Sequence, residues 1–224
     1  MDQIIDSIKP NIKEVTELSR NVSRVILEPF EPHFAQIVGT ALRRIMLSSI
    51  PGYAITAVEI DGVVHEYSAV EGIQEDILLI LLNLKEVALR DEPVLQLKKK
   101  GVGPVTAADI LCPAGIEIKN PEQIICHLTD ENKELNMHLH VTRGRGYVPA
   151  VNRPYVEGSE ERFIGHLQID PSYCPVLNVA VHTAPIAEEK EQLILDIETN
   201  GTIDPKNAVS IAATIFADQL NSFV

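Results

Sequence analysis

Apolar and polar residues alternate along this chain with two different periods, and the changes of period mark its elements. Residues 22–30, VSRVILEPF, read as a strand that stops at Glu28-Pro29. From about Gln36 the spacing turns helical, and the segment 36–49 is expected to coil. With Val38 at the origin and about 100° per residue, Ala41, Leu42, Ile45, Met46 and Ser49 fall on one side. Thr40, Arg43, Leu47 and Arg44 fall on the other, with Ile37 at its edge, and Pro51-Gly52 ends the helix. In residues 54–68, Asp61-Gly62 stands between two β-rich runs and predicts a two-residue hairpin. Residues 71–90 then predict a helix. Its stripe is Ile73, Ile77, Ile80, Leu81, Leu84 and Val87, widened by Leu78, Leu79 and Leu82, so burial on more than one side is expected.

Residues 94–141 read as short strands divided by turns, punctuated by Gly101, Gly103, Pro104, Pro113 and Pro121. Lys98-Lys99-Lys100 is the one basic run and is expected to be a solvated loop cluster. Residues 143–155, RGRGYVPAVNRPY, form a Gly- and Arg-bearing loop, after which RFIGHLQID and PVLNVAVH resume strand alternation. Residues 193–205, LILDIETNGTIDP, give a strand and a turn at Asn200-Gly201. Asp204 suits an N-cap and Pro205 the first helical position. The last helix runs to about Phe223 with an apolar set of Ala208, Ile211, Ala212, Ile215, Phe216 and Leu220. Helices near both ends flank a β-rich middle. The natural division therefore makes 1–51 and 175–224 one discontinuous domain and 52–174 an insertion in it.

Charge and composition narrow the function. A net charge of -13 argues against broad neutralisation of duplex phosphates. Aromatics at 4% and no Trp argue against a stacking platform for single strands too. Cys112, Cys126 and Cys174 have no metal-ribbon spacing and read as small buried thiols of a reducing compartment. There is no signal-peptide pattern, and the longest apolar run, Ile77 to Leu82, is far too short to span a bilayer, so a cytoplasmic protein without membrane contact is expected. Against this acidic background two adjacent arginines flank Leu47 on the side of the first helix that faces away from the core. That side is either a plain solvated face or a protein contact, since Arg around an apolar anchor is the composition of interface hot spots.

Candidate chemistry is thin. His138 and His140 share one face of a strand, and with Cys126 they offer a free-standing metal-binding protein or enzyme as the alternative reading. No third ligand stands at a diagnostic spacing. No phosphate loop, nucleophile elbow or zinc-protease motif is present, so neither a catalytic residue, a cofactor nor a metal ligand is assigned.

Several segments, in order, carry a resemblance. They are LEP (27–29), ALRRIMLSSIPG (41–52), EIDGVVHEYSAVEGIQEDILLILLNLK (59–85), GPVTAADI (103–110), HLTDEN (127–132), RGRGYVPA (143–150) and TNGTIDP (199–205). The chain resembles the N-terminal domain of the α subunit of bacterial RNA polymerase from about residue 24 to its end. The resemblance implies an α+β fold, with a discontinuous dimerisation domain (a sheet plus two long helices) and an inserted β-rich domain. It implies dimerisation with a second α chain through the first and last long helices. Here those would contribute Phe34, Val38, Leu42, Ile45, Ile211, Ile215, Phe216 and Leu220. It implies docking of the β subunit by Arg44, with Arg43, Leu47 and Ser48 in the same helix, and a β′-facing strand at Ala180, Thr183 and Pro185. The segments near 65–75 and the RGRGY loop would also approach the large subunits. The polymerase active site would lie on β and β′, leaving this chain without catalytic residues.

The sequence departs from the family pattern in places. PHFAQIVGT has Ala35 and Thr40 where the family has a glycine-containing stretch and an Asn. VAVHTAPIAEE has Ala180 and Thr183 where it has a Glu and an Arg. The expectation is a chain specialised for the β-contacting position, paired with a different α chain. The family also continues past this length into a small DNA-binding domain. From the residues present, no direct duplex binding is expected.

Overall fold

The computed structural model describes residues 9–90, 94–113, 117–152, 165–187 and 189–223. The end of the RGRGYVPAVNRPY loop (153–155) and the start of RFIGHLQID (162–164) lie outside the described residues. The chain divides into two compact units, Met1–Ile50 with Cys174–Val224, and Pro51–Tyr173.

The first unit holds a four-stranded antiparallel sheet in the order β1-β2-β11-β10: Asn11–Ser19, Val22–Phe30, Lys190–Thr199 and Val176–Ala187. Strict alternation in β2 and β11 sends Val25, Leu27, Leu193, Leu195 and Ile197 to one face, which α1 (Phe34–Ser48) and α3 (Pro205–Asn221) cover. β2 does not stop at Glu28-Pro29 but runs on to Phe30. Pro29 falls where the β2–β11 register shifts, between the pairs Leu27–Leu193 and Phe30–Glu191. A missing N–H is tolerated at such a break.

α1 begins at Phe34, before Gln36, after His33 turns the chain with φ 68°. Its buried stripe is Ala35, Gly39, Leu42 and Met46, so the core-facing side is rotated from the one centred on Val38, Ala41 and Ile45. Gly39 explains the rotation. A Cβ there would lie 2.6 Å from Leu193 Cδ1 and 2.7 Å from Val181 Cγ1, so the helix approaches the sheet most closely at its smallest residue.

α3 starts as its residues dictate. The Asp204 carboxylate accepts from Asn207 N at 3.3 Å and Pro205 takes the first turn. Ala208, Val209 and Ala212 are buried, and no described residue after Ala212 is.

The second unit holds a five-stranded antiparallel sheet in the order β6-β4-β8-β3-β9, formed by Ile110–Leu111, Val94–Lys100, Glu134–Arg145, Pro51–Ile60 and His166–Gln168. A two-stranded sheet pairs β5 (Gly103–Thr106) with β7 (Ile124–Leu128). Val58, Leu95, Leu97, Met137 and Leu139 from the sheet meet Ile77, Ile80 and Leu84 of α2 (Ile77–Lys85) in its core.

Four expectations fail here for physical reasons. The hairpin at Asp61-Gly62 does not form. Gly62 does turn the chain (φ 82°), and Val63 N donates to Ile60 O at 3.0 Å. Both edges of β3 are already taken, by β8 and β9, so no edge is free for residues 63–68 to return along. The helix of 71–90 shrinks to Ile77–Lys85. Ahead of it, residues 72–75 are held against β7: Thr129 N donates to Gly72 O, Gln74 N to His127 O, and Glu75 accepts from both His127 N and its Nδ1. Asp76 then caps the helix through Leu79 N at 2.8 Å. At the other end Asn120 binds Ala88 N and Glu86 O, capturing backbone that a longer helix would need. Nor is α2 buried on several sides, because Leu78, Leu79 and Leu82 remain exposed. The lysine run is not a solvated loop either. It ends β4, with Lys98 paired to Glu134 at 3.0 Å and Lys99 to Asp109 at 2.7 Å.

Candidate subunit-docking surface

The outward side of α1 carries the cations, but the two arginines have different fates. Arg43 Nε donates to Val179 O at 2.8 Å, fastening the helix to β10, the edge strand of its own sheet. Arg43 is thus tied to the sheet edge through Nε while its residue stays exposed, as Arg44 does. The Arg44 side chain is exposed and makes no hydrogen bond or ion pair among the described residues. Leu47 is half-buried against the first unit's own core, so it is not a wholly outward anchor. Ser48 Oγ donates back to Arg44 O at 2.7 Å and meets Ser49 Oγ at 3.0 Å, which occupies its hydroxyl within the helix end. Ile37, 64% exposed, lies nearly two turns before Arg44 on the same side.

The residues that the resemblance assigned to dimerisation separate by burial. Leu42 is buried in its own core and has no surface left for a second chain. Val38 and Ile45 are half-buried against that core, and Ile215 and Phe216 are half-buried on α3. Phe34, Ile211 and Leu220 are exposed, as is Phe223 at 85%. Apolar side chains thus continue along α3 beyond the last point at which the unit itself covers them. Of the β10 residues, Ala180 is half-buried, and Thr183 and Pro185 are exposed. β10 pairs with β11 alone among the described strands.

The metal trio of His138, His140 and Cys126 is not assembled. Cys126 lies wholly in the core of the second unit, where burial, aided by the charges of Glu75 and Asp109, pushes its thiol up to about 12. His138 and His140 alternate with the buried Met137, Leu139 and Val141, so they occupy the sheet's other face. There His140 meets Glu59 and His166, two residues the sequence reading missed. The signal was available: Glu59 and His166 belong to segments that alternate as strands do, but nothing in the sequence states which strands are neighbours. Cys174 Sγ is 3.2 Å from both Met46 O and Val176 O, a satisfied structural thiol. Among the described residues no helix is long and apolar enough to cross a membrane.

The family model of the RNA polymerase Rpb3/RpoA insert domain matches residues 58–174, just over half of the 224 residues. The chain belongs to this family. It is an RNA polymerase α-type subunit, mixed α+β in fold, and so a member of a multi-subunit nucleotidyltransferase complex that carries out transcription. The matched residues fall almost entirely in the second unit. Arg44 and the exposed apolar residues of α1 and α3 lie outside the match.

Proposed function

We propose that this α-type subunit is the dimerising, non-catalytic assembly subunit of a bacterial, cytoplasmic RNA polymerase. In this reading α1 and α3 pair with a second α chain, and the outward side of α1 docks the β subunit. The observation that carries it is Arg44: an exposed guanidinium with no partner among the described residues, beside an arginine tied to β10 through its Nε. A planar five-donor group left free in an acidic chain suits a carboxylate- or carbonyl-rich protein surface. Exposed Phe34, Ile211 and Leu220 supply the apolar area that a permanent helix-to-helix interface buries.

Arg44→Ala should fold, keep its dimeric mass by light scattering and fail to capture β, with a loss of about 2–5 kcal/mol if the pair is desolvated. Capture at wild-type strength rejects the docking role. Leu220→Asp should shift the dimer towards monomer. The absence of charge at Ala180 and Thr183 supports a further reading, in which this copy takes the β-contacting position beside a different α chain and leaves β′ docking to that partner. Native mass spectrometry that finds two copies of this chain in one polymerase rejects it. The polymerase reaction takes no catalytic residue or cofactor from this chain, and duplex DNA is not gripped by it directly. Salt-sensitive micromolar binding in a gel shift would refute the last point.

A further inference from the structure

We propose that Glu59, His140 and His166 form a binding site for one divalent transition-metal ion of the zinc class on the outer face of the five-stranded sheet. The proposal is independent of the docking reading. Three strands supply the ligands: β3, β8 and β9. Glu59 and His166 are directly opposite each other across β3 and β9. His140 stands opposite Ala57 across β3 and β8, which makes it the diagonal neighbour of Glu59. The residues between them, Val58, Leu139 and Leu167, are buried in the core, so the backbone that carries the three ligands is fixed from beneath.

The two rings converge on a single atom. His140 Nε2 is 3.2 Å and His166 Nδ1 3.3 Å from Glu59 Oε1, with ring centroids 4.9 Å apart, and the three candidate ligand atoms all lie within 4.8 Å of one another. A tetrahedral zinc ion with bonds of about 2.0–2.1 Å has ligand–ligand edges of about 3.3 Å. Two of the three edges are therefore already at the length the ion requires, and modest rotation of the rings closes the third. As hydrogen bonds the same contacts lie at the long end of the usual range. Elsewhere in the unit His127 Nδ1 reaches Glu75 at 2.6 Å, within the short range of charge-assisted bonds, whereas here two imidazoles share one oxygen at longer range. The arrangement is thus loose as a hydrogen-bonded set and well spaced as a coordination shell.

Chemistry and access agree with this. Two imidazole nitrogens and one carboxylate oxygen favour zinc-like ions over magnesium or calcium. The carboxylate is half exposed, and a groove of about 420 Å³ lined by Glu59, Asp61, His138 and His166 leaves room for water at the fourth position. With one negative charge on the ligand set and a net charge of -13 on the chain, the local and overall fields both favour a cation.

The test uses the full chain, stripped with chelator, and ZnCl2 alone as the probe, titrated against a chromogenic competitor. One equivalent per chain is expected. His166→Ala and Glu59→Ala should each weaken binding by more than the roughly 10–100-fold that loss of a mere outer-shell partner costs. His182→Ala, an exposed histidine of β10 in the first unit, should leave it unchanged. Co2+ in place of zinc should give a tetrahedral visible spectrum that His166→Ala abolishes. All variants should melt together in EDTA, with zinc raising the midpoint of the wild type and His182→Ala alone. No saturable binding, or equal binding by the wild type and His166→Ala, overturns the site.

Discussion

On the outer face of the four-stranded sheet, Arg24 and Asp196 sit opposite one another across β2 and β11 and close through two bonds of 2.7 and 2.8 Å. On the outer face of the five-stranded sheet, Glu59 receives two imidazoles on one oxygen at 3.2 and 3.3 Å. Both are cross-strand polar sets on a face that alternates with a packed core, yet their bonding differs. The guanidinium fork uses both carboxylate oxygens and leaves the pair closed. The two rings crowd one oxygen and leave coordination capacity over. The Arg24 hydrogen bonds hold Asp196 below the usual carboxylate range, against the smaller opposing effect of burial. For Glu59 partial burial is the largest single influence and acts upward. Together the hydrogen bonds and charges of His166 and His140 outweigh it and bring the group below its ordinary value. The difference separates a device for stability from one for recognition.

The largest effect should come from the cores beneath these faces. Leu195→Ala in the first unit should cost about 2–5 kcal/mol. Hydrogen exchange should show protection lost in β2, β10 and β11 before β4 and β8. Equal loss everywhere would mean that the two units unfold as one and that their faces cannot be compared separately. Next, Gly39→Ala forces a methyl against Leu193 and Val181 and should cost about 1–3 kcal/mol in denaturant titration. A neutral result would show that α1 can ride away from the sheet.

Asp196→Asn should have a smaller effect with a defined pH window. Because the folded carboxyl is depressed, its stabilisation is complete above the unfolded value near 3.9 and fades as pH falls through the lower folded one. Melting curves of wild type and variant should therefore converge in strong acid and stay apart at pH 5–7. Glu59→Gln in EDTA should have the smallest effect, below about 1 kcal/mol, since the carboxylate is half exposed. A penalty there larger than that of Asp196→Asn would make Glu59 a structural residue and erase the contrast between the faces.

Where local chemistry was self-sufficient, the sequence sufficed. Asp204 and Pro205 start α3 because an N-cap carboxylate and a fixed φ need no distant partner, and alternation in β11 sorts its residues by a period the backbone imposes. The first helix and its two arginines were equally legible as to place. Tertiary structure decided the rest, because each remaining choice depended on a competitor far away in the chain. β8 and β9 claimed both edges of β3 and abolished the hairpin, and His127 and Asn120 drew backbone out of the second helix at either end. Val179 O, 136 residues on, took Arg43 and left Arg44 without a partner among the described residues. Likewise the residue types of Glu59, His140 and His166 are written in the chain, but their meeting at one oxygen follows only from the order of strands, which a period of two cannot encode.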